Sequence, residues 1–150
     1  LVVELQTAGV PIHGIGLQMH EDVNADYQAT WPRNTSSVTK ADLKSAIARF
    51  KSLGIEVRVS ELDINQYQNF ADTSKAVADW YAQYLEACIE EGAHSFTMWG
   101  FTDRWSSLNG WYDYYNHGNG LIYDAQYQPK LAYQALSNTL DEMASSLTSL

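Results

Sequence analysis

Ile55-Glu56-Val57-Arg58-Val59-Ser60-Glu61-Leu62-Asp63-Ile64 is rich in β-branched residues and carries both its inner carboxylates near its carboxyl end. It reads as a buried strand that runs out into a site. Side chains alternate across a strand, so parity places Ile55, Val57, Val59, Glu61 and Asp63 on one face. Arg58 then faces the covering helices and needs a partner there. Working outward, a second strand is expected over Ile12-His13-Gly14-Ile15-Gly16-Leu17-Gln18-Met19-His20, with Leu1 to Ala8 as the end of a preceding helix. Ile15, Leu17 and Met19 share an apolar face; Gly14, Gly16, Gln18 and His20 share the other. A third strand is expected over Ser95-Phe96-Thr97-Met98-Trp99-Gly100-Phe101-Thr102-Asp103.

Helical patterns separate these strands. After a polar loop from Glu21 to Ser37, Thr39 with Asp42 three residues on signals a helix start. Leu43, Ala46, Ile47 and Phe50 recur at helical spacing, and Gly54 suits the position just past the end. A second helix runs roughly from Thr73 to Glu91 with the stripe Val77, Trp80, Tyr81, Tyr84, Leu85, Cys88 and Ile89, ended by Gly92. Cys88 on that stripe reads as a packed thiol rather than a nucleophile. A long loop from Arg104 to Tyr127 holds Trp105, Trp111, Tyr112, Tyr114 and Tyr115. Pro129 suits the first turn of a last helix, with Leu131, Ala132, Ala135, Leu136 and Leu140 inward and a frayed tail after Asp141. Alternating strands and helices make an α/β chain with a parallel sheet.

Composition narrows the function. The chain has 150 residues, 9 basic against 18 acidic, and a formal net charge of −9. Clustered Lys and Arg are missing, so no nucleic acid and no membrane partner is expected. No apolar run approaches the ~20 residues of a membrane span. Five Trp, 10 Tyr and 4 Phe, 13 % of the chain, suit a flat neutral ligand such as a sugar. No pair of His has zinc spacing and no Gly-rich phosphate loop precedes a helix, so neither a metal nor a cofactor is expected.

Sites in parallel α/β folds form at the carboxyl ends of the strands. Here the three strands end in Gln18 and His20, in Glu61 and Asp63, and in Trp99 and Asp103. Taken singly, a Glu at a strand end is commonly solvated, a buried His a satisfied core group and a Trp a packing residue. Their convergence on one rim argues for a site. His13, His94 and His117 lack that context and read as structural or exposed.

These blocks resemble a family. His13 to His20, Val57 to Ile64 and Phe96 to Asp103 are similar to the last three strands of glycoside hydrolase family 10, endo-β-1,4-xylanases on a (β/α)8 barrel. Gly120-Leu121-Ile122-Tyr123-Asp124, Pro129-Lys130 and Ala132-Tyr133 resemble that family's C-terminal stretch. The resemblance runs from about Ala8 to Leu140. It implies that Glu61 is the nucleophile of a retaining double displacement, that His20 is hydrogen-bonded to it, and that Asp63 orients His20. It also implies that Gln18 contacts the sugar and that Trp99 lies under it. Trp105 or Trp111 substitutes for a second tryptophan of the cleft wall, whose usual position falls near Ser107. A donor on His20 favours the ionised form that a nucleophile needs.

A (β/α)8 barrel takes about 250 residues, so residues 1–150 are expected to form one partial TIM-barrel catalytic domain, the C-terminal part. The family's acid/base glutamate lies on the fourth strand, and no block here matches it. Asp103 and Glu21 are conceivable stand-ins. The expectation is therefore a secreted xylan hydrolase domain with no normal turnover as an isolated monomer, completed by self-association into a homo-oligomer or by an N-terminal half-barrel. The rival readings are a xylo-oligosaccharide-binding or half-barrel assembly module without catalysis, and part of a related β-glucan hydrolase.

Overall fold

In the computed structural model, the structure describes residues 1–22, 38–67, 74–109 and 117–148. Helix α1 spans Val2–Thr7, strand β1 Gly14–Leu17, strand β2 His20–Asp22 and helix α2 Lys40–Ser52. Strand β3 spans Glu56–Tyr67, helix α3 Ser74–Glu91, strand β4 Ser95–Met98, strand β5 His117–Gly118 and helix α4 Leu131–Thr148. Strand β3 is central. Strands β1 and β4 flank it in parallel, with Ile15 opposite Val57 and Val59 opposite Phe96. Strand β2 continues the β1 side, and β5 pairs antiparallel with the far end of β3.

The helices begin and end where local chemistry directs. Thr39 Oγ1 accepts the Asp42 backbone N–H at 3.1 Å, and Asp42 Oδ2 accepts the Thr39 N–H at 3.1 Å, so two orphan donors of α2 are satisfied reciprocally. Gly54 ends that helix at φ +74°, a left-handed conformation with no Cβ penalty. Leu43 and Ile47 of α2 and Val77, Ala78, Tyr81, Tyr84, Ala87 and Cys88 of α3 pack on one face of the sheet. Among the described residues no helix packs on the opposite face. Arg58 and Glu56 lie there half exposed and pair with each other at 3.2 Å.

Several expectations are corrected. The first strand is two short pieces, because Met19 between them adopts φ +64° and breaks the ladder. The third strand stops at Met98; Gly100 at φ +115° turns the chain, and Thr102 makes only an isolated bridge to Tyr123. Val57 and Val59 do not face away from the helices but are buried against them at 1 % and 0 %. Arg58 correspondingly faces away from the helices. Pro129 bridges Tyr123 ahead of α4 rather than occupying its first turn. Leu131 and Leu140 are exposed, Thr139 takes an inward position, and the tail after Asp141 is helical to Thr148. No helix among the described residues is long and apolar enough to cross a membrane.

Candidate functional site

Strands β2 and β3 pair so that His20 lies directly opposite Asp63. That register puts one imidazole within reach of two carboxylates. His20 Nδ1 is 2.8 Å from Asp63 Oδ1, and His20 Nε2 is 3.3 Å from Glu61 Oε2. Asp63 is buried at 1 %, whereas the Glu61 side chain keeps 26 % of its surface in solvent and His20 42 %. The order is therefore a buried carboxylate at the back, an imidazole in the middle and a reachable carboxylate in front.

Electrostatics follow that order. Burial works against the charged imidazole, but the hydrogen bonds and charges of Asp63 and then Glu61 outweigh it, and His20 is raised above the ordinary histidine range. Burial also pushes Asp63 up, against the opposing pull of His20. Both shifts hold a proton within the pair to higher pH, and a proton there leaves an N–H to donate. With Nδ1–H given to Asp63, an imidazolium gives its Nε2–H to Glu61, fixing the ring by both nitrogens. A partly exposed carboxylate held this way can attack an electrophilic carbon or accept a proton.

Trp99 follows β4 and stands half exposed beside this group. Its ring meets that of His20 edge-on, centroids 6.3 Å apart, which leaves indole surface free for an apolar sugar face. Gln18 lies exposed at the break between β1 and β2. Trp105 is 73 % exposed, and its contacts run elsewhere: Nε1 donates to the Tyr127 hydroxyl at 3.0 Å, and the Arg104 guanidinium lies 5.3 Å from its ring centroid. Among the described residues no contact joins it to His20 or Glu61. Trp111 lies outside the described residues. Among the described residues no group of three His, Cys, Asp or Glu is arranged to hold a metal ion.

The two conceivable stand-in acids are otherwise engaged. Asp103 is buried; Oδ1 accepts the Leu121 N–H at 3.0 Å and Oδ2 the Lys130 ammonium at 2.7 Å. Glu21 accepts the Val38 N–H at 3.2 Å, and burial raises its carboxyl above the usual range. Cys88 is buried, and burial pushes its thiol up to about 12, as a packed thiol requires. Two residues escaped the reading by motif. Tyr127 fixes Trp105 and is itself held at φ +61° in a turn closed by Asp124. Ser60 sits where β3 changes face. A signal for Ser60 was present: apolar positions are odd at Val57 and Val59 but even at Leu62 and Ile64.

The model of "Glycosyl hydrolase family 10" matches residues 1–139. Endo-1,4-beta-xylanase B of Thermotoga neapolitana is 30 % identical over 151 residues, covering 95 % of this chain and 38 % of that protein. Endo-1,4-beta-xylanase 1 of Humicola insolens is 32 % identical over 143 residues, covering 93 % of this chain and 30 % of that protein. A xylanase of Thermotoga petrophila solved with xylobiose superposes at TM-score 0.79 and 27 % identity, covering 95 % of this chain and 40 % of that one. The native xylanase 10B of Thermotoga maritima gives 0.81 and 26 %, covering 97 % and 41 %. The chain thus spans about two fifths or less of the length of these relatives.

Proposed function

The chain belongs to glycosyl hydrolase family 10, and from that premise we propose that residues 1–150 act as one partial catalytic domain, the nucleophile-bearing part of a retaining β-1,4-xylan hydrolase. The observation that carries this reading is one imidazole held between Asp63 at 2.8 Å and Glu61 at 3.3 Å. In it, Glu61 attacks the anomeric carbon, its Oε–C1 bond forming as the glycosidic C1–O bond breaks. His20 holds the Glu61 carboxylate in line, and Asp63 holds His20. Trp99 lies under the sugar, Gln18 contacts it, and Trp105 or Trp111 lines the outer wall. Water then cleaves the glycosyl ester with overall retention.

The departing oxygen needs a proton from a second carboxyl about 5–5.5 Å from the first in a retaining enzyme. Asp63, Glu21 and Asp103 are all engaged as described above. In this reading the acid/base carboxyl comes from an N-terminal half-barrel or a second copy that closes the open sheet face. Among the described residues the outer edges of β1 and β4 are unpaired, and these edges with the exposed Arg58–Glu56 face favour such a completing partner. Xylan is a polymer, and action on it is assigned outside the cell.

The test separates nucleophile from acid. Dinitrophenolate leaves without protonation, so a 2,4-dinitrophenyl 2-deoxy-2-fluoro-β-xylobioside should trap the glycosyl ester on this chain alone. Mass spectrometry should find one adduct on the peptide holding Glu61 and none in Glu61→Gln. A wild-type chain that takes no label overturns the assignment. The half-exposed Trp99 also favours a second reading, a xylo-oligosaccharide-binding module. Xylohexaose calorimetry with heat, but no trapped adduct, would select it.

A further inference from the structure

Strand β3 changes face partway along. Val57 and Val59 are buried among the helices, and so are Leu62 and Ile64, two odd positions followed by two even ones. The pairing shows the same slip on both sides. Leu17 lies opposite Val59 but His20 opposite Asp63, so three steps on one strand match four on the other. Toward β4, Val59 lies opposite Phe96 but Leu62 opposite Met98, two steps against three. Strand β3 therefore carries one extra residue, a bulge at Ser60–Glu61, relative to both neighbours.

The slip decides which way the carboxylates point. On an unbroken strand Glu61 and Asp63 would keep the parity of Val57 and Val59 and enter the apolar layer under α2 and α3. An uncompensated carboxylate there is costly. With the bulge they meet His20 instead.

Two side-chain features lie against the bulge. Ser60 Oγ donates to the Leu17 carbonyl at 3.3 Å, tying it to the last residue of β1. Gly16 leaves the space for that hydroxyl, since a Cβ there would lie 3.2 Å from Ser60 Oγ and 3.4 Å from Ser60 Cβ. Two residues beyond Leu17, the Met19 carbonyl accepts the Asp63 N–H at 3.3 Å and closes the far side of the slip.

We propose that Ser60 is a positioning residue: its hydroxyl on the Leu17 carbonyl, with Gly16 leaving it room, holds the bulge that turns Glu61 and Asp63 onto the two nitrogens of His20. Only its link to rate rests on the reading of Glu61 as nucleophile; the placement of His20 between the carboxylates does not.

The test uses the full chain as wild type, Ser60→Ala and Ser60→Thr. Two readouts are followed: the labelling rate with the fluorinated dinitrophenyl xylobioside, and the imidazole titration of His20 by 15N NMR, assigned with His20→Gln. Ser60→Ala is expected to label roughly 10- to 100-fold more slowly, as a misplaced reacting group does. Its His20 midpoint is expected to fall toward the ordinary histidine value as Glu61 and Asp63 move away. Ser60→Thr, which keeps the hydroxyl, restores both. Equal labelling and an unmoved His20 midpoint in Ser60→Ala overturn the proposal. If the wild type takes no label, the nucleophile assignment fails and the His20 midpoint alone decides the role of Ser60. Should Ser60→Ala not fold, Ser60→Cys, close in volume but a weak donor, replaces it in both measurements.

Discussion

Lys130 and Asp103 give the sharpest energetic prediction. The two side chains are 18 % and 4 % exposed and meet at 2.7 Å. Lys130 also donates to the Asn119 carbonyl, and Asp103 Oδ1 accepts the Leu121 N–H. Together they tie the segment after β4 to residues 119–121 and to the start of α4. Burial holds Lys130 below the usual lysine range in spite of its partner, a sign that desolvation consumes much of the attraction. Lys130→Met therefore does most of its harm through the carboxylate left behind. Removing one member of a buried pair costs about 3–5 kcal/mol, and the residual exposure of Lys130 favours the lower end, about 3 kcal/mol. At roughly 2–4 °C per kcal/mol for a chain of this size, the melting temperature should fall by about 6–12 °C. The double variant Lys130→Met/Asp103→Leu removes both charges and leaves chiefly the Leu121 N–H unpaired, about 1–3 kcal/mol. It should melt above Lys130→Met. Circular dichroism melts at neutral pH read both. A single variant within about 1 °C of wild type, or a double variant whose loss equals the sum of the two single losses, refutes the reasoning.

His20 should titrate above the ordinary histidine midpoint of 6.5, and Asp63→Asn should lower that midpoint. Because the folded value is raised, the stability His20 contributes is full below about pH 6.5 and is lost as pH rises through the folded midpoint. The difference in melting temperature between wild type and His20→Gln should therefore shrink with increasing pH. Tyr81 is fully buried, and its hydroxyl donates to the Gly120 carbonyl at 2.7 Å; Tyr81→Phe should cost about 1–2 kcal/mol in urea unfolding, with the slope unchanged. Cys88 should react with a thiol reagent only after denaturation; rapid reaction of the native chain would contradict its buried position.

What was legible in the sequence was whatever depends on near neighbours. The Thr39–Asp42 pair marks the start of α2 because capping is a contact across three residues. The apolar stripe from Val77 to Cys88 marks α3 because burial repeats with the helix period. Strand order and the meeting of His20, Glu61 and Asp63 followed from blocks resembling a known family. What failed were positions set by distant partners. Strict alternation puts Arg58 on the wrong face because it ignores a bulge, and the bulge is held by Leu17, 43 residues from Ser60. The third strand ends at Met98, short of the expected Asp103, because Gly100 and the bridge from Thr102 to Tyr123 turn the chain early. Leu140, expected inward, is exposed and its neighbour Thr139 is buried, because the packing of α4 decides which of two neighbours faces the core.

The bulge also explains how polar and apolar demands share one strand. The helix-side layer needs Val57, Val59, Leu62 and Ile64, and the site needs Glu61 and Asp63 within the same stretch. Strict alternation from Val57 serves only one of these, since it carries both carboxylates into the helix layer with the valines. One extra residue resets the phase, so a continuous apolar layer and two inward carboxylates coexist. The cost is local irregularity, visible at Met19 with φ +64° and at Ser60 lodged over a glycine. Strain of this kind persists only where surrounding contacts over-determine it. Here they do: β3 is paired on both sides, Val57, Val59, Leu62 and Ile64 are fully buried, and Asp63 is held through both its backbone N–H and its carboxylate. A substitution that fills Gly16 should therefore disturb the His20 group before it unfolds the sheet. Gly16→Ala should shift the His20 titration while leaving the far-ultraviolet circular dichroism of the chain intact.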